Sequence, residues 1–311
     1  IYKIKNARVF TDNNENVAVI KNNFILPSVS FQQVNGKLLN TKFNSVVKNG
    51  TPSFIRKING KVFNLCQGGS GNNYFHFIFD ILPKIYLLKS VIKLNQIDYF
   101  YLVNPKPWQV QILNLLGINS KKLLNSLIYK HIIVDELYAV DHPWYKSGFF
   151  QYEVQKIPEW LVKKNRENFL KRSNKKIKNK IFLDRSESKF NHCQIENIKN
   201  IKDLLISENF KFYKPETFTF KKQIQLFQNS SIVIGAHGAA FTNIIFCSPG
   251  TKIIELIPKD HPNKKCKRIS KILNLKYYRI ETVPDNSDPN YPFKIQLSKK
   301  NLEVIKKIIS L

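Results

Sequence analysis

The 311-residue chain has no methionine, four cysteines, and only 22 acidic residues against 50 basic ones. Cys66, Cys193, Cys247 and Cys266 show neither Cys-x-x-Cys spacing nor the density of a secreted disulfide scaffold, so reduced thiols are expected. No Asp-x-Asp occurs, and His261 and Cys266, the nearest thing to a ligand pair, lack partners at useful spacing. This argues against a metal-dependent hydrolase or a transferase built on clustered carboxylates, and no metal site is expected. The longest apolar stretch, Tyr74 to Leu88, is interrupted by His76, Asp80 and Lys84, which excludes a transmembrane helix. Internal repeats are absent. A chain starting at Ile1 without methionine reads as a trimmed or mature fragment whose upstream signal is out of view. The sequons at Asn49 and Asn229 hint at a secretory route no more strongly than an Asn-rich chain would by chance.

What is present is apolar enough to fold: 43% of residues are hydrophobic and 13% aromatic, which rules out a disordered chain. The length suits two domains. Of the 50 cations only seven are arginine. Clamps on phosphates and readers of bases favour the arginine fork, whereas a lysine excess alongside abundant Asn, Ile and Phe can reflect AT-rich codons. The +28 charge otherwise points to an anionic membrane surface or a polyanionic substrate, with nucleic acid the weaker match.

The first 65 residues read as short strands with Gly and Asn turns. A helix follows from about 73 to 91, then a strand at 99–103, a helix at 107–116 and a strand at 132–140. The basic polar run Lys171 to Lys180 reads as a linker. Beyond it, strands near 181–184, 210–213, 231–235, 252–257 and 276–280 alternate with helices at about 195–206, 218–228, 239–246 and 263–273. That alternation predicts a Rossmann-like α/β domain with a parallel sheet. The resulting organisation is an N-terminal domain over 1–170, a linker at 171–180, a C-terminal domain over 181–297, and an amphipathic helix at 298–311 that could pack back on the first domain.

Four segments carry chemistry. The run Ser231 to Asn243 is a buried strand entering a small-residue turn, Gly235-Ala236-His237-Gly238-Ala239, that opens a helix. Such a turn admits a phosphate to free N–H groups, with His237 at its mouth, or it is simply a tight strand–helix turn. Glu255, on the next strand, can accept from a ribose or sugar hydroxyl or be a buried glutamate paired with a lysine. Arg185 ends the strand Ile181-Phe182-Leu183-Asp184, where it can neutralise a diphosphate or pair with Asp184 or Glu187. His76 and Asp80, four apart on one helical face beside Gly68-Gly69-Ser70-Gly71, form either an acid/base dyad or a helix-stabilising pair. Asp80, already deprotonated at neutral pH, is the preferred base, with His76 as the alternative and Asn73 as a sugar-binding group.

Together these segments resemble glycosyltransferase family 61. Its members carry N-Y-F-H-x-x-x-D-x-L-P, matched by Asn73 to Pro83, a strand ending in Arg, matched by Arg185, and a G-x-H-G-A-x-x-T-N block, matched from Gly235 through Thr242 and Asn243 to Leu256. The resemblance covers about residues 65–260. It implies a GT-B-like α/β architecture of two Rossmann-like domains facing a cleft, and inverting transfer from a nucleotide sugar, commonly UDP-linked, to a saccharide or glycoconjugate acceptor. No cofactor beyond that co-substrate is implied. It further implies that Asn73, Arg185, Gly235, His237, Gly238, Ala239, Thr242, Asn243 and Glu255 bind substrate while Asp80 and His76 carry the proton chemistry. A second arginine frequent in the family is missing, with Lys189-Phe190-Asn191-His192 in its place. The competing reading is a non-catalytic basic protein that binds nucleic acid or an anionic membrane. Against it, the cations fall mainly in solvated helices and the linker and are not interleaved with aromatics on one face. The thiols and missing signal suit a bacterial or viral cytoplasm, with peripheral membrane attachment; the alternative is a secretory-pathway lumen with the anchor trimmed.

Overall fold

A computed structural model describes residues 1–12, 16–67, 71–171, 179–186, 193–284 and 294–311. Most of the expected linker, most of the glycine run before Asn72, and the Lys189–His192 stretch lie outside the described residues. The chain divides into two compact units, Ile1–Asn168 and Phe169–Leu311. No helix among the described residues is long and apolar enough to cross a membrane.

The first unit holds a ten-stranded mixed sheet. Its strands are β1 (Tyr2–Thr11), β2 (Asn16–Lys21), β3 (Phe24–Ile25), β4 (Phe31–Val34), β5 (Lys37–Leu39), β6 (Arg56–Asn64), β7 (Tyr99–Leu102), β8 (Leu123–Asn125), β9 (His131–Ala139) and β10 (Gly148–Phe149). Asn22-Asn23 and Asn35-Gly36 all take positive φ, so each pair closes a two-residue hairpin, β2–β3 and β4–β5, with the twist antiparallel strands require. This antiparallel sector reaches β9 through β1, and β9, β6, β7 and β8 then run parallel. The expected α/β class holds: four strands of this sheet are parallel, and the N-terminal hairpins widen it on the antiparallel side. The chain leaves β6 toward β7 on one side, while its other neighbour β9 leads away toward β10, so connections diverge at the C-terminal ends of β6 and β9.

The second unit holds a six-stranded sheet of β11 (Asn179–Leu183), β12 (Lys211–Tyr213), β13 (Ser230–Ala236), β14 (Lys252–Pro258), β15 (Lys276–Pro284) and β16 (Ile295–Gln296). Its order is β12-β11-β13-β14-β15-β16, parallel except for β16. Ile232 to Ala236 are all buried, as a central parallel strand covered on both faces demands. The connections diverge between β11 and β13, the position at which open α/β sheets bind ligands. Two expectations change. Residues Ala239–Phe246 form a 3-10 helix, with Phe241 to Phe246 all buried. The terminal helix Lys299–Ser310 packs in its own unit: Ile305, Ile308 and Ile309 join Leu205, Ile280 and Ile295, and Lys252 Nζ donates to the carbonyls of Ile308 and Ile309 at its C-terminal end.

Candidate active site

In the first unit the helix following β6 begins at Tyr74. The Asn73 side chain caps it, accepting from Phe75 N at 2.9 Å and His76 N at 3.4 Å, so its carbonyl oxygen has a structural task while the residue stays exposed. Residues Phe77–Ile81 are π-helical, with Leu82 N–H reaching back to Phe77 O. His76 and Asp80 nevertheless meet: His76 Nδ1 lies 2.7 Å from Asp80 Oδ2, and Asp80 is 0% exposed. The opposite oxygen, Oδ1, accepts from Trp144 Nε1 at 2.7 Å, and His142 Nε2 stands 3.7 Å from Oδ2. Both new residues follow β9, so the cluster occupies the divergence point between β6 and β9. Burial is the largest influence on the Asp80 carboxyl and pushes its pKa up. The two imidazoles outweigh it and hold the group well below the usual carboxylate range. Burial likewise lowers His142, and it brings the Lys84 ammonium, which donates to Cys66 O at 3.2 Å, down to about 8.

In the second unit Arg185, just beyond β11, donates from Nη1 to the His237 carbonyl just beyond β13, spanning the divergence point. Gly235 is required there: a Cβ would stand 2.8 Å from Leu183 Cβ and 3.2 Å from its carbonyl oxygen. Gly238 is extended, and the Arg185 guanidinium occupies the space a side chain would need. A pocket of about 170 Å³ opens beside them, lined by Leu183, Arg185, Ser186, Cys193, Ile198 and Ala236. His237 Nδ1 is 2.6 Å from Glu255 Oε1. Glu255, 1% exposed, also accepts from Cys266 Sγ at 3.0 Å and from the Tyr277 hydroxyl, on Oε2, at 2.6 Å. Its carboxyl is held down to about 2: burial pushes it up, while His237, Tyr277 and Cys266 pull it down by more. Burial lowers the pKa of His237 against the pull of Glu255. Lys265, buried, donates from Nζ to Gly238 O at 2.8 Å.

The expected residues thus separate into two clusters. Asn73, His76 and Asp80 lie in the first unit; Arg185, Gly235, His237, Gly238, Ala239 and Glu255 lie around the second divergence point. Ala239 is half-buried at the mouth of the turn. Thr242 and Asn243 sit inside, with the Asn243 amide donating to Gln223 Oε1 at 2.8 Å. Glu255 meets side chains and no open surface, so direct contact with a sugar hydroxyl gives way to a role beneath His237. Sequence reasoning missed Trp144, His142, Lys265 and Tyr277. His142-Pro143-Trp144-Tyr145 at a strand end was a visible aromatic signal, whereas nothing sets Lys265 apart from its lysine neighbours.

Among the described residues no group of three His, Cys, Asp or Glu side chains could hold a metal ion. The family profile described as Glycosyltransferase 61 matches residues 74–254. A beta-1,2-xylosyltransferase of Arabidopsis thaliana is 31% identical over 71 residues, 23% of this chain and 13% of that protein. Beta-1,2-xylosyltransferase RCN11 of Oryza sativa subsp. japonica is 37% identical over 60 residues, 19% of this chain and 11% of that protein. The matched stretches therefore span about an eighth of either plant enzyme.

Proposed function

The chain belongs to glycosyltransferase family 61, and from that premise we propose that it moves a sugar, with inversion, from a UDP-linked donor to a hydroxyl of a saccharide or glycoconjugate. The observation that carries the reading is the meeting of Arg185 with the Gly235–Gly238 turn at the divergence point of the second sheet. The leaving diphosphate carries the charge that builds up in the transition state, and Arg185 and Lys265 are fixed cations suited to it, while the His237 N–H of the turn is given to Leu256 O. His237 has its Nδ1–H committed to Glu255, so its Nε2 donates to a phosphate oxygen only as an imidazolium. Glu255 offsets that charge.

His76 is the base in this reading. The Asp80 carboxylate is buried with both oxygens occupied, whereas no described residue hydrogen-bonds His76 Nε2. This revises the preference for Asp80. As the acceptor oxygen bonds to the anomeric carbon, its proton passes to His76 Nε2. The bond from that carbon to the diphosphate breaks, and its electron pair leaves with the phosphate. Asp80 stabilises the imidazolium without taking the proton.

A panel of nucleotide sugars, including UDP-xylose because both plant relatives are named for xylosyl transfer, should reveal one donor that the full chain hydrolyses slowly and transfers faster. Turnover should survive EDTA, because the cationic side chains do the work of a divalent ion. Loss of turnover in EDTA, restored by manganese or magnesium, would overturn the metal-independent mechanism, and no hydrolysis of any nucleotide sugar would overturn the function.

A further inference from the structure

Three ring N–H groups from two distant stretches converge on one carboxylate. Trp144 Nε1 donates to Asp80 Oδ1, His76 Nδ1 lies at hydrogen-bond distance from Oδ2, and His142 Nε2 faces the same Oδ2 from 3.7 Å. The ring states follow from hydrogen-bond bookkeeping. His142 Nδ1 faces the backbone N–H groups of Trp144 and Tyr145, at 3.4 and 3.3 Å, so it accepts, and the proton of the neutral ring is on Nε2. Its Nε2 is buried without a partner at hydrogen-bond distance, and Asp80 is the carboxylate it faces. With an indole N–H on one oxygen and imidazole N–H groups toward the other, Asp80 acts only as an acceptor. His76 must then carry its proton on Nδ1, which leaves Nε2 bare.

We infer that Trp144 and His142 are positioning residues of the proton acceptor: they hold Asp80 in the orientation that fixes His76 as the Nδ1–H tautomer, the form whose Nε2 can take a proton. The inference rests on the reading of His76 as the base. Neither residue touches the reacting atoms; both act through Asp80. Other ionisable groups surround the cluster. Lys84, on the same helix, points its ammonium at Cys66 O; Asp141 lies just after β9; the Tyr145 ring packs 4.1 Å from that of His142, its hydroxyl buried without a partner. Among the described residues none of these hydrogen-bonds Asp80, so the ring N–H groups alone set its orientation.

Long-range proton–nitrogen spectra of the histidine-labelled full chain read the tautomer of each ring, and the six histidines can be assigned with single substitutions. His76 should show a protonated Nδ1 and a bare Nε2. Trp144→Phe removes one donor and leaves a more basic carboxylate, which stabilises the His76 imidazolium. The acid limb of kcat/KM for transfer should therefore move to higher pH. At neutral pH kcat should fall about 10- to 100-fold, while binding of uridine diphosphate changes less than about twofold. His142→Leu should act the same way, and His142→Gln, which keeps an N–H at that point, should recover most of the loss. An unchanged His76 tautomer and an unmoved acid limb in a folded Trp144→Phe variant overturn the inference, as does a His142→Gln variant no better than His142→Leu. If Trp144→Phe does not fold, the His142 pair decides. Should the wild-type chain transfer no sugar, the functional reading fails while the spectra still judge the positioning role.

Discussion

Glu255→Gln deletes one buried charge and leaves the side-chain shape almost unchanged. In the folded chain that carboxylate sits under His237, Tyr277 and Cys266 and is held down to about 2 from an ordinary 4.5. A group more acidic when folded contributes its full stabilisation above its unfolded pKa and loses it as pH falls through the folded value. The window here runs from about 4.5 down to about 2. A displacement of that size corresponds to about 3 kcal/mol. The amide offers one acceptor oxygen and an NH2 group to three donors, so either a donor is left unpaired or the His237 ring changes tautomer. Urea or thermal unfolding, read on a probe within the second unit, should show the variant about 3 kcal/mol less stable at pH 7. The gap should narrow as pH drops below about 4.5. A deficit under about 1 kcal/mol, roughly that of a neutral hydrogen bond, or one that stays constant into acid, would refute the idea that the charge anchors the turn. The tautomer change has a second readout. In wild type, diphosphate binding takes up a proton at a His237 ring that burial holds below its ordinary value, so affinity should fall as pH rises from mildly acid through neutrality; in the variant that dependence should flatten.

Asp80→Asn and His76→Gln should each cost about 10²–10⁴-fold in transfer with uridine diphosphate binding retained, and a folded Asp80→Asn chain with near-normal transfer would remove Asp80 from the proton chemistry. Gly235→Ala places a methyl against Leu183 and should destabilise the second unit by about 1–3 kcal/mol, measurable by unfolding. If the lysine excess serves an anionic membrane, sedimentation with anionic vesicles should weaken steeply with salt, since exposed charges are screened within about 8 Å at physiological ionic strength; no co-sedimentation at low salt removes that role.

The second unit was the more legible half, because its strands are the kind periodicity finds: short, β-branched, buried on both faces and separated by amphipathic helices. Ile232 to Ala236 and Ile253 to Ile257 announce themselves as central parallel strands. The first unit hides its order. Asn22-Asn23 and Asn35-Gly36 reveal hairpins, but nothing local says that β1 pairs with β9, more than a hundred residues away. The site divided in the same way. His76 and Asp80 were visible because four residues of helix bring them together. Trp144 reaches Asp80 across 64 residues, through a sheet whose register the sequence does not spell out. Glu255 was legible as an unusual charge in an apolar strand, yet its partner was misjudged, since a buried carboxylate can be satisfied by any donor that the fold brings near.

The π-helical turn between Phe77 and Ile81 changes how this stretch tolerates a change in length. A π turn takes about 4.4 residues where an α turn takes 3.6, so across this segment the helix accumulates close to one residue of excess. Deleting a single residue such as Ile78 would not have to open a loop: the extra carbonyl offset closes, the α-helical ladder becomes continuous, and the face of Leu82–Leu88 keeps its phase against the core. What it costs is the angle between the His76 end and everything that follows. A shortened relative with an unbroken helix would align well on either side of the turn and still present its imidazole in a different direction, so at this point one gap in an alignment separates two geometries of the same apparent motif.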